Sequence, residues 1–203
     1  MKKFVLLAIF WGTGVVSAQK MTVIQGDSRF LKEQKEVNVE FVYDNYTLLK
    51  EQISEEVYIE QRSADLNQKT ATVGDTWVKK WNSSKELIWE PKFLELLNVV
   101  HAKKKKDIRF IQNNPTAKYT LIVKTVWIYP GWDAGIMKQA AKVSTLLYFV
   151  ATDNRDKALL TIRSVDAPGN QFGNNYSNES RIGEGYAKTA KTLAGMLLEK
   201  SYK

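Results

Sequence analysis

The chain has 203 residues, with 30 basic against 22 acidic side chains, a formal charge of +8, one histidine and no cysteine. Without cysteine there is no disulfide framework, thiol nucleophile or thiolate metal site, and a single histidine puts a structural zinc site out of reach. The positive excess favours anionic partners, but no sequence signature of a nucleic-acid-binding module occurs, so nucleic acid is not an expected partner.

The first residues read as a leader. Lys2 and Lys3 form a positive start, Phe4 to Trp11 a short apolar run, and Val16 and Ala18 the small residues that precede a cleavage point. This is the pattern of a secretory signal peptide cut after Ala18, which leaves residues 19–203 as a single domain of a size one core can serve. The apolar run falls short of the roughly 20 residues that cross a bilayer. No cysteine follows for lipid attachment, and no later segment reaches the length of a membrane helix. A cysteine-free exported chain fits the periplasm or surroundings of a bacterium better than a eukaryotic secretory route. The Asn-X-Ser/Thr triplets starting at Asn45, Asn82, Asn175 and Asn178 are then coincidences of an Asn-rich sequence.

The domain divides by periodicity. Val37, Val39, Phe41 and Tyr43 alternate with Asn38 and Glu40 as a half-buried strand that opens the domain and closes at Asp44-Asn45. Ser54, followed by Glu55 and Glu56, caps a helix running to about Asn67. Gly74-Asp75 begins a second helix, in which Trp77 and Trp81 share a face and belong to the core. Glu90-Pro91 starts a third, with Phe93, Leu96, Leu97 and Val100 as its apolar stripe. His101 and the run Lys103, Lys104, Lys105 and Lys106 follow. Four consecutive lysines read first as a solvated connector and second as a contact for an anionic envelope surface.

Tyr119 to Ile128 is apolar on both faces and reads as a central strand, with Trp127 in phase with the core residues Leu121 and Val123. A Pro130-Gly131 turn follows. Val143 to Ala151 and Ala158 to Val165 form a hairpin around Asp153 to Lys157, and an Asn/Gly/Ser-rich loop after Pro168-Gly169 leads to a last amphipathic helix from Glu179 to Lys200. Gly183, Gly185 and Gly195 in that helix suggest close backbone packing at one of them or more. The expected fold is α+β: a mostly antiparallel sheet of about four strands covered on one face by helices, in the order β-α-α-α-β-β-β-α.

The catalytic inventory is thin. His101 suits an interaction with its helix C-terminus, and no nucleophile elbow, phosphate loop, metalloprotease motif or calcium loop occurs, so neither a cofactor nor a metal is expected. Paired carboxylates among Asp133, Glu179 and Glu184 are the only economical route to an enzyme, a hydrolase of the glycosidase kind. A binding loop is the better candidate. Tyr129, Trp132 and Asp133 flank the Pro-Gly turn, and exposed aromatic rings stack on sugars or insert into a partner's pocket.

The segments EEVYIEQRSADLN, WEPKFLELLN, YTLIVKTVWIYPGWDAGI and RIGEGYAKTAKTLAGML resemble those of a family of small uncharacterised secreted proteins of Gram-negative anaerobes, a resemblance that covers most of the domain and implies no assigned activity. The layout of AKYTLIVKTVWIYPG, AAKVSTLLYFVATDNRDKALLTIRSVDA and the closing Ala-rich helix is similar to periplasmic αβ domains of the curli secretion channel lipoprotein class. The chain departs from that class in lacking a lipobox cysteine, pore-forming segments and a glycine in the Asp153-Asn154-Arg155 hairpin. What this second resemblance implies is a non-enzymatic envelope domain, and the expected function is that of an envelope accessory protein acting through contacts with another envelope protein. Glycan or small-ligand binding by the loop around Trp132 is the alternative.

Overall fold

A computed structural model of the chain describes residues 19–134, 137–170 and 177–201; the expected leader at 1–18 and the triplet at Asn175 lie outside them, as does much of the Asn/Gly/Ser-rich loop. Strand β1 (Lys20–Gly26) begins the domain, and one 3-10 turn (Arg29–Leu31) separates it from β2 (Glu36–Val42). Two short strands, β3 (Thr47–Leu48) and β4 (Ile53–Ser54), lead into helix α1 (Glu55–Lys69). Helix α2 (Val73–Ser84) passes through a π-helical stretch, Lys85–Trp89, directly into α3 (Glu90–Lys103). Then come β5 (Arg109–Gln112), β6 (Tyr119–Tyr129), the ribbon strands β7 (Trp132–Asp133) and β8 (Lys138–Gln139), the long hairpin β9 (Ala141–Ala151) and β10 (Asn154–Gly169), and helix α4 (Asn178–Ser201).

This mixed α/β architecture corrects the expected α+β fold with its four-stranded, mostly antiparallel sheet. Eight strands form one sheet, in the spatial order β1-β10-β9-β6-β2-β5, with β3 and β4 attached beside β6. The four strands from β1 to β6 pair antiparallel, but β2 runs parallel to both β5 and β6. The cause is the helical segment α1–α3, a crossover that brings the chain back to the end of the sheet it left, and such a connection delivers a parallel neighbour. Four strands of the sheet escaped the periodicity, of which β3 and β4 have two residues each. In β1 only Met21 and Val23 are half-buried, so this edge strand carries little hydrophobic signal. Strand β5 has four residues and follows a run of lysines.

One apolar cluster holds these layers together, with Leu121 and Val123 of β6, Leu147 and Phe149 of β9 and Leu160 and Ile162 of β10 on the sheet side. The stripe Ile182, Tyr186, Ala190, Leu193 and Leu197 of α4 is buried against it, as its spacing requires. At two places the approach admits no side chain. A Cβ on Gly169 would lie 1.8 Å from the carbonyl oxygen of Arg181, and one on Gly185 would lie 2.6 Å from Cγ2 of Val143, whereas nothing lies within 4 Å of Gly195. The Tyr186 hydroxyl and Thr125 Oγ1, 2.6 Å apart, join helix and sheet at the centre.

The helix starts also follow their chemistry. Ser54 caps α1 by accepting from the Val57 N–H at 3.4 Å. Trp77 and Trp81 pack with their rings 5.5 Å apart, and Trp81 is fully buried. His101, adjacent in sequence to the lysines, turns inward instead: it is buried against Phe110, and its Nδ1 lies 2.8 Å from the Leu97 carbonyl oxygen.

Two measurements follow. Gly169→Ala should cost about 2 kcal/mol or more in chemical denaturation through overpacking, while Gly195→Ala, in open space, should stabilise by about 0.5–1 kcal/mol. Burial pushes the His101 imidazole below its usual pKa. The unfolded chain therefore takes up that proton first as pH falls, and stability should decline on acidification through about pH 6.5. A His101→Leu variant should lose that part of the pH dependence.

Candidate functional site

Strand β6 ends at Tyr129, and the chain reverses through Pro130-Gly131 into the ribbon, where Trp132 pairs with Gln139 and Asp133 with Lys138. Gly131 has φ of +69°, and a Cβ there would lie 2.4 Å from the Gln139 carbonyl oxygen, so the turn requires glycine. The side-chain oxygen of Gln139 accepts from both the Tyr129 hydroxyl and the Trp132 indole N–H, each at 3.0 Å. One amide thereby fixes both rings. Trp132 is 41% exposed, and Tyr129 and Asp133 are half-buried.

Trp127 does not continue the core face. A bulge between Thr125 and Trp127 advances the strand by one residue, so Ile128 takes the buried position. Trp127 is half-buried on the opposite side, stacks on Tyr129 at 6.3 Å and donates to the Leu49 carbonyl at 2.6 Å.

Two helices face the ribbon. On α1, Tyr58 and Arg62 stand one turn apart; on α4, Asn178 and Arg181 stand three residues apart, and both spacings place the pair on one helix face. With Leu49 and the segment Tyr129 to Asp133 these side chains line an open cleft of about 360 Å³. The structure therefore brings Tyr129, Trp132 and Asp133 together with a set that sequence reasoning missed: Tyr58, Arg62, Asn178 and Arg181. The i, i+4 spacing of Tyr58 and Arg62 was legible, but nothing in the sequence places α1 and the start of α4 opposite the Pro-Gly turn.

The electrostatics are asymmetric. Arg181 is 6% exposed, donates to Asn178 Oδ1 and has Asp133 and Glu179 as charge neighbours; burial pulls its pKa down, and the acids oppose that shift. Burial also raises the Tyr58 phenol, against the influence of Asn178, Arg62 and Arg181. Glu179 is 2% exposed, with Oε1 accepting from the Trp77 indole at 2.8 Å and Oε2 accepting from Ser177 and lying 3.4 Å from Lys80 Nζ. Glu184 pairs with Lys92. Of the three carboxylates weighed as a catalytic pair, only Asp133 lines the cleft.

The lysines belong elsewhere. Lys105 takes a left-handed conformation (φ 55°) just beyond α3. Lys105 and Lys106 join Lys32 and Lys35 around a second groove of about 340 Å³, which Glu33 and Asp107 also line. The exposed Lys35 and Asp107 pair across it at 2.7 Å.

Comparison with protein-family models and with curated proteins returns no match. Among solved structures, the chain is similar to PelC from Paraburkholderia phytofirmans, solved as a dodecamer: 12% identity and a TM-score of 0.39 over 86% of this chain and 96% of that one. A substituted form of the same dodecamer gives 10% identity and a TM-score of 0.40 over 86% and 97%. Likeness at this level does not bear on function, and the functional reading rests on the side chains. No described helix is long and apolar enough to cross a membrane.

Gln139→Ala removes the shared acceptor of Tyr129 and Trp132. The indole N–H resonance of Trp132, assigned by its loss in Trp132→Phe, should move upfield and exchange faster with water, while the fully buried indoles of Trp81 and Trp89 stay in place.

Proposed function

We propose that the chain is an exported, non-enzymatic binding protein of the bacterial cell envelope, and that the cleft between the β7–β8 ribbon and the first turn of α4 receives its ligand. The observation that carries this is the placement of an exposed, hydrogen-bonded indole beside two guanidinium groups, an amide and a carboxylate in one concavity. An aromatic plane with a few polar groups around it is the common makeup of a small-ligand site, and such sites occupy about 300–1,000 Å³. Export is supported by the leader pattern from Lys2 to Ala18 and by the absence of cysteine.

The concavity favours the glycan or small-ligand alternative over the reading that acts through protein contacts. That second reading keeps one observation of its own, since an exposed tryptophan also anchors protein interfaces. The groove of Lys32, Lys35, Lys105 and Lys106 adds a basic surface to which an anionic envelope component could be drawn. The hydrolase reading loses support, because Glu179 and Glu184 are engaged by Trp77, Ser177, Lys80 and Lys92.

The test is a titration of the chain from Gln19 onward with fragments of envelope and host polysaccharides, followed by tryptophan fluorescence. At least one fragment should bind and perturb the emission, and Trp132→Ala should weaken it about tenfold or more, in the range of a lost buried aromatic contact. If no fragment binds, and a pull-down from envelope extract recovers one protein that Trp132→Ala releases, the partner reading replaces this one.

A further inference from the structure

We infer that the ligand of this cleft is acidic: a saccharide bearing a carboxylate, of the uronic acid kind, with the carboxylate held at Arg62 and Arg181 and the sugar ring laid on Trp132. The inference rests on the cleft reading above and names its ligand class.

Arg62 carries the argument. Other partly buried cations of the domain have an acid in contact: Lys85 has Glu55 at 2.8 Å, Lys142 has Asp166 at 2.9 Å, and Lys92 has Glu184. Even the more exposed Arg155 forms a two-pronged pair with Glu40, both contacts at 2.7 Å. Arg62 is half-buried and lines the cleft, yet among the described residues no carboxylate pairs with it and its buried Nε meets no acceptor. A buried donor on a charged group is costly to leave unmet, and a guanidinium presents a planar fork that matches a carboxylate. A ligand oxyanion in the cleft, against the part of the guanidinium that lines it, supplies the counter-charge that no described acid provides.

The neighbouring groups narrow the chemistry. Arg181 adds a second guanidinium, while Asp133 is the one carboxylate in the lining, so the cleft suits a singly charged acid better than a doubly charged phosphate. The exposed Trp132 indole, held by Gln139, offers a flat face for a ring with an apolar side. Asn178 and Asp133 supply polar atoms for hydroxyl groups.

The experiment is calorimetry on the chain from Gln19 onward. The probes are oligomers of galacturonate, glucuronate and mannuronate, each against its methyl-esterified form, with a sulfated neutral oligosaccharide alongside. At least one acid should bind about tenfold or more tighter than its ester, the scale of a charge-assisted bidentate contact. Arg62→Met should abolish the difference between that acid and its ester, and Arg62→Lys should fall between, with thermal melting showing that both variants fold. Lys105→Gln/Lys106→Gln should preserve the difference between acid and ester. Equal binding of acid and ester, unaffected by Arg62→Met, overturns the acidic assignment and leaves the cleft reading standing. So does loss of the preference in the double lysine variant, which assigns it to the other groove, or a preference for the sulfated probe. Binding of no probe in either form overturns the saccharide reading along with it.

Discussion

At the end of β10 the backbone of Gly169 passes so near α4 that a side chain there would lie 1.8 Å from the carbonyl oxygen of Arg181. Gly185, one turn further along, lies against Val143 with no room for a methyl group. Close packing of this kind allows little adjustment, because a protein interior is as dense as an organic crystal. It sets the height of the helix over the sheet and the direction of its first turn. Asn178 and Arg181 point where they do because the glycines let the helix settle there. The cleft thus depends on an approach made possible by residues that do not line it.

A second constraint holds the same turn from the helical side. The indole of Trp77 donates to the Glu179 side chain at 2.8 Å and that of Trp89 to the Glu179 backbone carbonyl at 2.9 Å, while the Trp89 ring stacks on Tyr186 at 5.7 Å and 11°. These tryptophans come from α2 and from the π-helical stretch between α2 and α3. A π-helical turn shifts the side chains after it around the helix axis, and such turns recur near functional sites. Here it lets Trp81 and Trp89 meet edge to face at 5.4 Å while both stay fully buried. Buried Glu179 is therefore an anchor for the helix end, in contrast to the acid or base that its place among the three candidate carboxylates suggested.

The sequence carried the helices well and the sheet poorly. Ser54 as a cap, the Trp77–Trp81 face and the Ile182 to Leu197 stripe were legible because capping and helical spacing are local properties. The parallel pairing of β2 was not, since direction depends on where a three-helix crossover returns the chain. Trp127 shows the limit at one residue. Its phase was counted from Leu121 and Val123 on the assumption of an unbroken strand, and a single bulge moved it to the other face. Of the site, the Pro130-Gly131 turn and its aromatic neighbours could be read from composition. Arg62 and Arg181, separated by most of the domain, meet only in three dimensions.

The cleft joins these threads: a ribbon fixed by one glutamine, a helix end fixed by two glycines and two indoles, and an arginine on α1 whose charge no described acid matches. The most direct measurement is a crystal structure of the chain with a uronate oligomer bound. The carboxylate of one sugar should lie between the guanidinium groups of Arg62 and Arg181, with its ring against Trp132. A uronate found in the groove of Lys32, Lys35, Lys105 and Lys106, or in the cleft with its carboxylate turned away from Arg62, would contradict it.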